Sequence, residues 1–352
     1  MPFRQFVEAA LYDPEFGYYA RPRSGLDYAT SVDLSPVFPF ALGRLAEEVL
    51  ARSGDGLCAI VDIGCGDGTL LAEMREAVAP ELRKRCRFVG IDRAVGRLRP
   101  ELAADRELRF GTDASAIGEH DVSLVVSNEL YDAMPFARLV GREEGLRELW
   151  VVEGEGGLEW DEREAPAEYA AYFEERGIEL ERGQFADVSL DWGREYGKIA
   201  RSVKGGLLIT IDYGFPEEKL FDVRVRRWGT AAAFRRHRLT RDLLADAGAQ
   251  DLTAHVNLSD LVRAGEEAGW RTVGLTRQAR FLMAIGAAEH PLLAPLDAIT
   301  APASAEQASD LAALRDAARR LVLPDGIGDE MRVLIQARGI EPDDWSFARA
   351  IR

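Results

Sequence analysis

Three glycines punctuate the stretch Val61-Asp62-Ile63-Gly64-Cys65-Gly66-Asp67-Gly68-Thr69-Leu70, between an apolar run and a helix-like segment. Glycine takes positive φ freely and lets a ligand come close to the backbone, so this turn reads as a nucleotide-cofactor loop. Its spacing is G-x-G-x-G. The dinucleotide fingerprint G-x-G-x-x-G needs its third glycine one position later, where Thr69 stands. The loop therefore favours S-adenosylmethionine (SAM) over NAD.

The rest of the chain fits an α/β fold around that loop. From Cys58 onward, short apolar runs (59–63, 88–92, 108–112, 122–128) alternate with helix-like segments (70–78, 98–104), the pattern of parallel strands with crossover helices. A further buried-strand run follows the Gly205-Gly206 turn at 207–212. Late strands are expected at 271–275 and 331–337, with a helix at 311–321 between them and a linker rich in Ala and Pro over 288–305.

Between residues 135 and 205 the pattern changes. Segments 136–140, 146–153 and 156–160 look like hairpin strands, and 166–204 reads as mostly helical. This predicts a subdomain at 136–204 inserted into a SAM-binding core of 58–135 and 205–352, with a further insert at 215–260. The insertion suits a substrate pocket, because doubly wound sheets bind ligands beyond the carboxyl ends of their strands. Residues 1–57, with Tyr12, Phe16, Tyr18, Tyr19, Tyr28, Phe38 and Phe40, are expected to form a helical lid.

Composition excludes several classes. The 352 residues are 47% hydrophobic and 30% charged, with no run near the roughly 20 apolar residues of a membrane span. A net charge of -16 argues against a nucleic-acid substrate and would attract a cationic one. Cys58, Cys65 and Cys86 contain no C-x-x-C pair and the four histidines are scattered, so neither a disulfide framework nor a metal site is indicated. The N-terminal residues resemble no targeting segment, and a cytoplasmic location is expected. Monomer and homodimer are equally compatible with this composition.

Acids at strand ends carry the next signal. Asp62 stands at the entrance of the glycine loop, and Asp92 ends a strand run where a carboxylate can accept ribose hydroxyls. Asp113 follows the third run and either meets the adenine amine or caps a helix. After the fourth run come Asn128-Glu129-Leu130-Tyr131-Asp132-Ala133-Met134-Pro135. Asn128, Glu129 and Asp132 are the catalytic candidates, Asn128 also as a cofactor contact.

Methyl transfer from a sulfonium needs in-line approach at about 3 Å more than strong acid–base help. A guanidinium acceptor, charged because its pKa exceeds about 12, adds a need for carboxylates that localise its charge or take a proton. Glu129 with Asp132 or Asp212 is the candidate pair.

With Leu11-Tyr12-Asp13-Pro14-Glu15-Phe16-Gly17-Tyr18-Tyr19, Asp27-Tyr28-Ala29-Thr30-Ser31, Asp212-Tyr213-Gly214, Gly229-Thr230, His237-Arg238, 251–256 and Ile327-Gly328-Asp329-Glu330-Met331-Arg332-Val333, these motifs resemble the MidA-like class I SAM-dependent methyltransferases along nearly the whole chain. The resemblance implies a Rossmann-like sheet with helices on both faces, bearing a family-specific N-terminal segment and insertions. It also implies protein arginine methylation, in a family associated with mitochondrial complex I assembly. Gly64, Gly66, Gly68 and Asp92 carry over as SAM contacts, and Thr30, Ser31 and Ser35 match the N-terminal motif that helps close the site. Ser31, Ser35, Asp212, Tyr213 and His237 are expected to face the substrate.

The sequence departs from the family at Ala231, Ala232 and Ala233, where a basic contact is common, and at Val32 and Pro39. The expected activity is thus methyl transfer to a protein arginine. The alternatives are a small-molecule N- or O-methyltransferase and a SAM-binding assembly factor without catalysis.

Overall fold

Strands Cys58–Ile63 and Gly206–Asp212 are buried at every position, as strands covered on both faces must be. They lie inside a seven-stranded sheet ordered Arg271–Arg277, Arg332–Arg338, Gly206–Asp212, Val122–Asn128, Cys58–Ile63, Cys86–Ile91, Leu108–Gly111. The last five run parallel to one another, while Arg332–Arg338 is antiparallel to both of its neighbours. This is the expected α/β sheet. The structure, a computed structural model, describes residues 1–20, 30–54, 56–94, 97–235, 238–295, 304–324 and 326–351.

Two units divide the chain. One takes the described residues of 29–129, 197–212 and 264–352, the other those of 1–28, 130–196 and 213–263. The boundary falls inside 1–57: helix Phe3–Tyr12 belongs to the second unit, helices Ser31–Leu34 and Val37–Arg52 to the first.

In the sheet-bearing unit, strand order reverses between Cys58–Ile63 and Val122–Asn128, the topological switch point where such sheets bind ligands. Register aligns the strand ends there: Ile63 pairs with Ile91 on one side and Ser127 on the other, and Asn128 pairs with Ile211. Gly64, Asp92, Asn128 and Asp212 therefore leave the sheet along one edge. Helix Val37–Arg52 packs on helix Thr69–Ala77 at Gly43, where a Cβ would fall 2.3 Å from that of Ala77. The helix expected over 98–104 shrinks to Pro100–Ala103, because Pro100 supplies the rigid first turn and lacks the N–H a longer helix would use.

The other unit is mainly antiparallel. Its larger sheet runs Gly157–Glu164, Gly145–Gly154, Ala137–Arg142, Phe185–Val188. The hairpin strands match the sequence expectation, but Phe185–Val188 corrects the reading of 166–204 as mostly helical. Four residues containing a charge give too little alternation to mark a strand, and pairing with Ala137–Arg142 creates it.

Buried Asp187 in that strand accepts from Arg138 Nη1 at 2.7 Å and from the backbone N–H groups of Thr230 and Ala231 at 2.6 and 2.7 Å. It thereby moors the 229–231 segment. Helix Phe3–Tyr12 turns Phe3, Phe6, Val7, Ala10 and Leu11, one helical face, onto Phe136, Val151, Ala233 and Leu252. Ala231 and Ala233 lie in this core, and Ala232 between them is buried, which gives the two flanking alanines a packing role. Among the described residues no helix is long and apolar enough to cross a membrane.

Candidate functional site

The glycine loop is built to bring backbone close to a ligand. Gly64, Gly66 and Gly68 have φ of 76°, 55° and 87°, the left-handed region where side chains are strained. A Cβ on Gly66 would meet nothing within 4 Å, so open space lies over this turn. The N–H groups of Gly64 and Cys65 donate to Ile91 O at 2.7 and 3.2 Å, tying the loop to the neighbouring strand. Gly90, beneath it, has room for no Cβ: Phe110 and Cys65 Sγ would be 2.6 and 2.9 Å away.

Asp92 braces the loop. Its Oδ2 accepts the Gly66 N–H at 2.9 Å and its Oδ1 the Ala94 N–H at 2.8 Å. A carboxylate has about four acceptor positions, so this half-buried group retains capacity for hydroxyl donors. Asp62 is buried, and its Oδ2 has no hydrogen-bond partner among the described residues. Burial, with the charges of Asp92 and Asp67, pushes its carboxyl up to about 8. Asp113 is exposed; it accepts the Ser115 N–H at 2.8 Å and caps the turn Ala114–Ile117. The structure thus gives it the capping role that the sequence left open.

Asn128 and Glu129 follow on the same sheet edge. Glu129 has φ of 51°, one of two described non-glycine residues with positive φ, and its N–H donates to Ile211 O at 2.9 Å. Its Oε1 accepts from the Ser31 N–H and from Asn128 Nδ2, each at 3.1 Å. Oε2 of Glu129 and Oδ1 of Asn128 are buried without partners among the described residues. Burial raises the Glu129 carboxyl to about 7; the Asp212 and Asp33 charges add to this, against the lowering pull of Ser31 and Asn128. Asp212, fully buried, is thus the larger of two acidic influences on Glu129 within this unit, Asp33 being the other.

The N-terminal motif residues have local partners. Thr30 forms a capping box with Asp33 at the start of helix Ser31–Leu34. Ser35, also buried, accepts the Val37 N–H at 3.3 Å and starts the next helix. Asp132 and Tyr213 lie in the other unit, where their carbonyls accept from Ala254 N–H at 3.1 Å and Val256 N–H at 2.8 Å. His237 and Asp27 to Ala29 lie outside the described residues. Sequence reasoning missed Gln278, a fully buried amide that contacts Ser31. A lone glutamine after a strand carries no motif by which to find it.

A parallel sheet with a glycine loop and acids at its switch point defines a nucleotide-cofactor enzyme of the α/β class. Residues 41–276 match the family described as "Putative S-adenosyl-L-methionine-dependent methyltransferase", and the chain belongs to that family. It is a SAM-dependent methyltransferase, with SAM as its cofactor. No curated protein matches the chain.

Two solved structures from Burkholderia thailandensis are similar over 100% of this chain and 91% of theirs. A superfamily member bound to S-adenosyl-homocysteine (SAH) is 28% identical with a TM-score of 0.80. A native crystal structure of an uncharacterized member is 29% identical with a TM-score of 0.82.

The residues fit the cofactor. SAM carries a sulfonium and an ammonium, and the strands Cys58–Ile63 and Val122–Asn128 supply Asp62 Oδ2 and Asn128 Oδ1, buried and without partners among the described residues, as acceptors at the strand ends that also carry the open cradle at Gly66.

Proposed function

We propose that this methyltransferase acts on an arginine side chain of a protein in the cytoplasm. The observation that carries the proposal is the carboxylate of Glu129: one oxygen is fixed by two donors, the other is buried and unpartnered, and Asp212 bears on it. In this reading Gly64, Gly66, Gly68, Asp62, Asp92 and Asn128 hold SAM, with Thr30 and Asp113 at its margin. Ser31, Ser35 and Asp212, all of the sheet-bearing unit, border the acceptor. SAM supplies an electrophilic methyl group.

Glu129 Oε2 accepts a hydrogen bond from one guanidinium N–H and orients that nitrogen in line, the term that dominates such transfers. Asp212 adds negative charge, which holds the cation and draws its charge toward the far nitrogens. A carboxyl titrating near 7 is deprotonated over the upper half of the physiological range and can take the proton that the methylated nitrogen sheds.

The test is transfer of labelled methyl from SAM into a lysate of a host lacking the protein, with products resolved by mass spectrometry. Label on polypeptide arginine, abolished by Glu129→Ala, supports the proposal. Label confined to small molecules favours an N- or O-methyltransferase of metabolites. SAM binding without transfer, and a biological role that survives Glu129→Ala, favours a non-catalytic assembly factor.

A further inference from the structure

Ser31 joins remote pieces of the sheet-bearing unit. Its N–H donates to Glu129 Oε1, while its fully buried hydroxyl donates to Gln278 Oε1 at 3.1 Å and lies 3.4 Å from Met331 Sδ. Gln278 opens the helix Gln278–Ala284 directly after the edge strand Arg271–Arg277, and Met331 precedes its partner strand Arg332–Arg338. The two are themselves joined, Gln278 N–H to Met331 O, at 3.2 Å. Both are fully buried.

We infer that Gln278, with Met331, is a positioning residue that fixes Ser31 and through it aims the Glu129 carboxylate at the methyl acceptor. The inference rests on the proposed role of Glu129. A glutamate has three side-chain torsions and here also a left-handed backbone, a conformation that persists only where its surroundings over-determine it. Asn128, its chain neighbour, supplies one donor, and among the described residues only Ser31 supplies one from a separate segment. Ser31 begins a four-residue helix with little rigidity of its own. Its buried hydroxyl must be paired, and Gln278 is the group that pairs it. The motif around Met331, which cofactor binding leaves unexplained, acquires a function in this way.

The experiment follows the Glu129 carboxyl by carbon-13 NMR in full-length protein labelled at glutamate, its signal identified by loss in Glu129→Gln. The charged groups facing it, Asp212 and Asp33, stay in place in every variant. Gln278→Met keeps the side-chain volume and removes the acceptor, and Ser31→Ala removes the hydroxyl and keeps the N–H. Each is expected to raise the titration midpoint of Glu129 by about half a pH unit or more, as the N–H donor loosens. The double variant is expected to add nothing further, because both changes cut one chain.

SAH affinity by calorimetry is expected to be unchanged in Gln278→Met. An unmoved midpoint in a folded variant overturns the inference, and so do additive shifts or a loss of SAH affinity without a shift. If Gln278→Met does not fold, Ser31→Ala decides alone. Methyl transfer surviving in Glu129→Gln refutes the role of Glu129 instead, and leaves the titration result standing as a separate fact.

Discussion

Asp92 holds Gly66: the carboxylate at the end of one strand accepts, at 2.9 Å, the backbone N–H of the loop that leaves the next. The same acid shapes the glycine turn and, in the proposed site, meets the cofactor, which would couple loop order to ligand binding.

Asp92→Ala removes this brace and an acceptor for the cofactor's hydroxyls together. Hydrogen bonds to charged groups are worth about 1.5–3 kcal/mol, so SAH affinity is expected to weaken about 10- to 100-fold. Isothermal calorimetry checks this; an unchanged dissociation constant would remove Asp92 from the site.

Glu129→Gln keeps shape and removes the proposed base. A loss of about 10²- to 10⁴-fold in kcat is expected. In the wild type, the rate is expected to rise with pH through about 7, as the raised carboxyl ionises. A pH–rate profile checks both, since the limb near 7 disappears in the variant.

Asp62 makes a prediction about stability. Its folded pKa is raised from 3.8 to about 8, so the folded state holds a proton that the unfolded state releases. Its stabilising effect is complete below the unfolded value and is lost as pH rises through the folded one. The ligand-free protein is therefore expected to lose stability between about pH 4 and 8 relative to Asp62→Asn. Melting temperatures of the two across that range decide it: parallel curves contradict the assignment.

Gly90→Val drives a side chain into Phe110 and Cys65. Overpacking of this kind costs about 1–3 kcal/mol, and here it also displaces the glycine loop. Chemical denaturation and SAH titration are both expected to register the change, whereas Gly156→Ala, at an exposed turn with nothing near its Cβ, is expected to leave SAH affinity intact.

Asp187→Ala, in the other unit, leaves Arg138 and two backbone N–H groups without their buried acceptor. Breaking such a pair costs about 3–5 kcal/mol. Urea unfolding followed by circular dichroism tests it.

The sheet was legible because its strands announce themselves. Runs such as Val122–Asn128, apolar over most of their length and bounded by turns, have few other stable fates, and the glycine spacing named the cofactor. Phe185–Val188 was not legible: a four-residue strand around a charge exists only through its neighbour. Glu129 could be singled out by its place after a strand, but not its left-handed backbone or its hold on Ser31, which depend on chain segments far apart in sequence. Asp113 shows the converse limit, since an acid after a strand looks alike whether it meets a ligand or caps a turn.

The antiparallel strand Arg332–Arg338 has a consequence for how the molecule is made. It slots between Gly206–Asp212 and Arg271–Arg277, so a strand central to the sheet keeps an open edge until residues 332–338 have emerged from the ribosome. Helix Ser31–Leu34 waits for the same event, because Gln278 and Met331 secure it. A nascent chain can order the glycine loop early, yet it gains the support beneath Glu129 only after Gln278 and Met331 have emerged. Non-local closure of this kind is slow. On the proposed role of Glu129, cofactor capture can therefore precede catalytic competence, and a chain not yet extended to Met331 would hold SAM without being able to spend it.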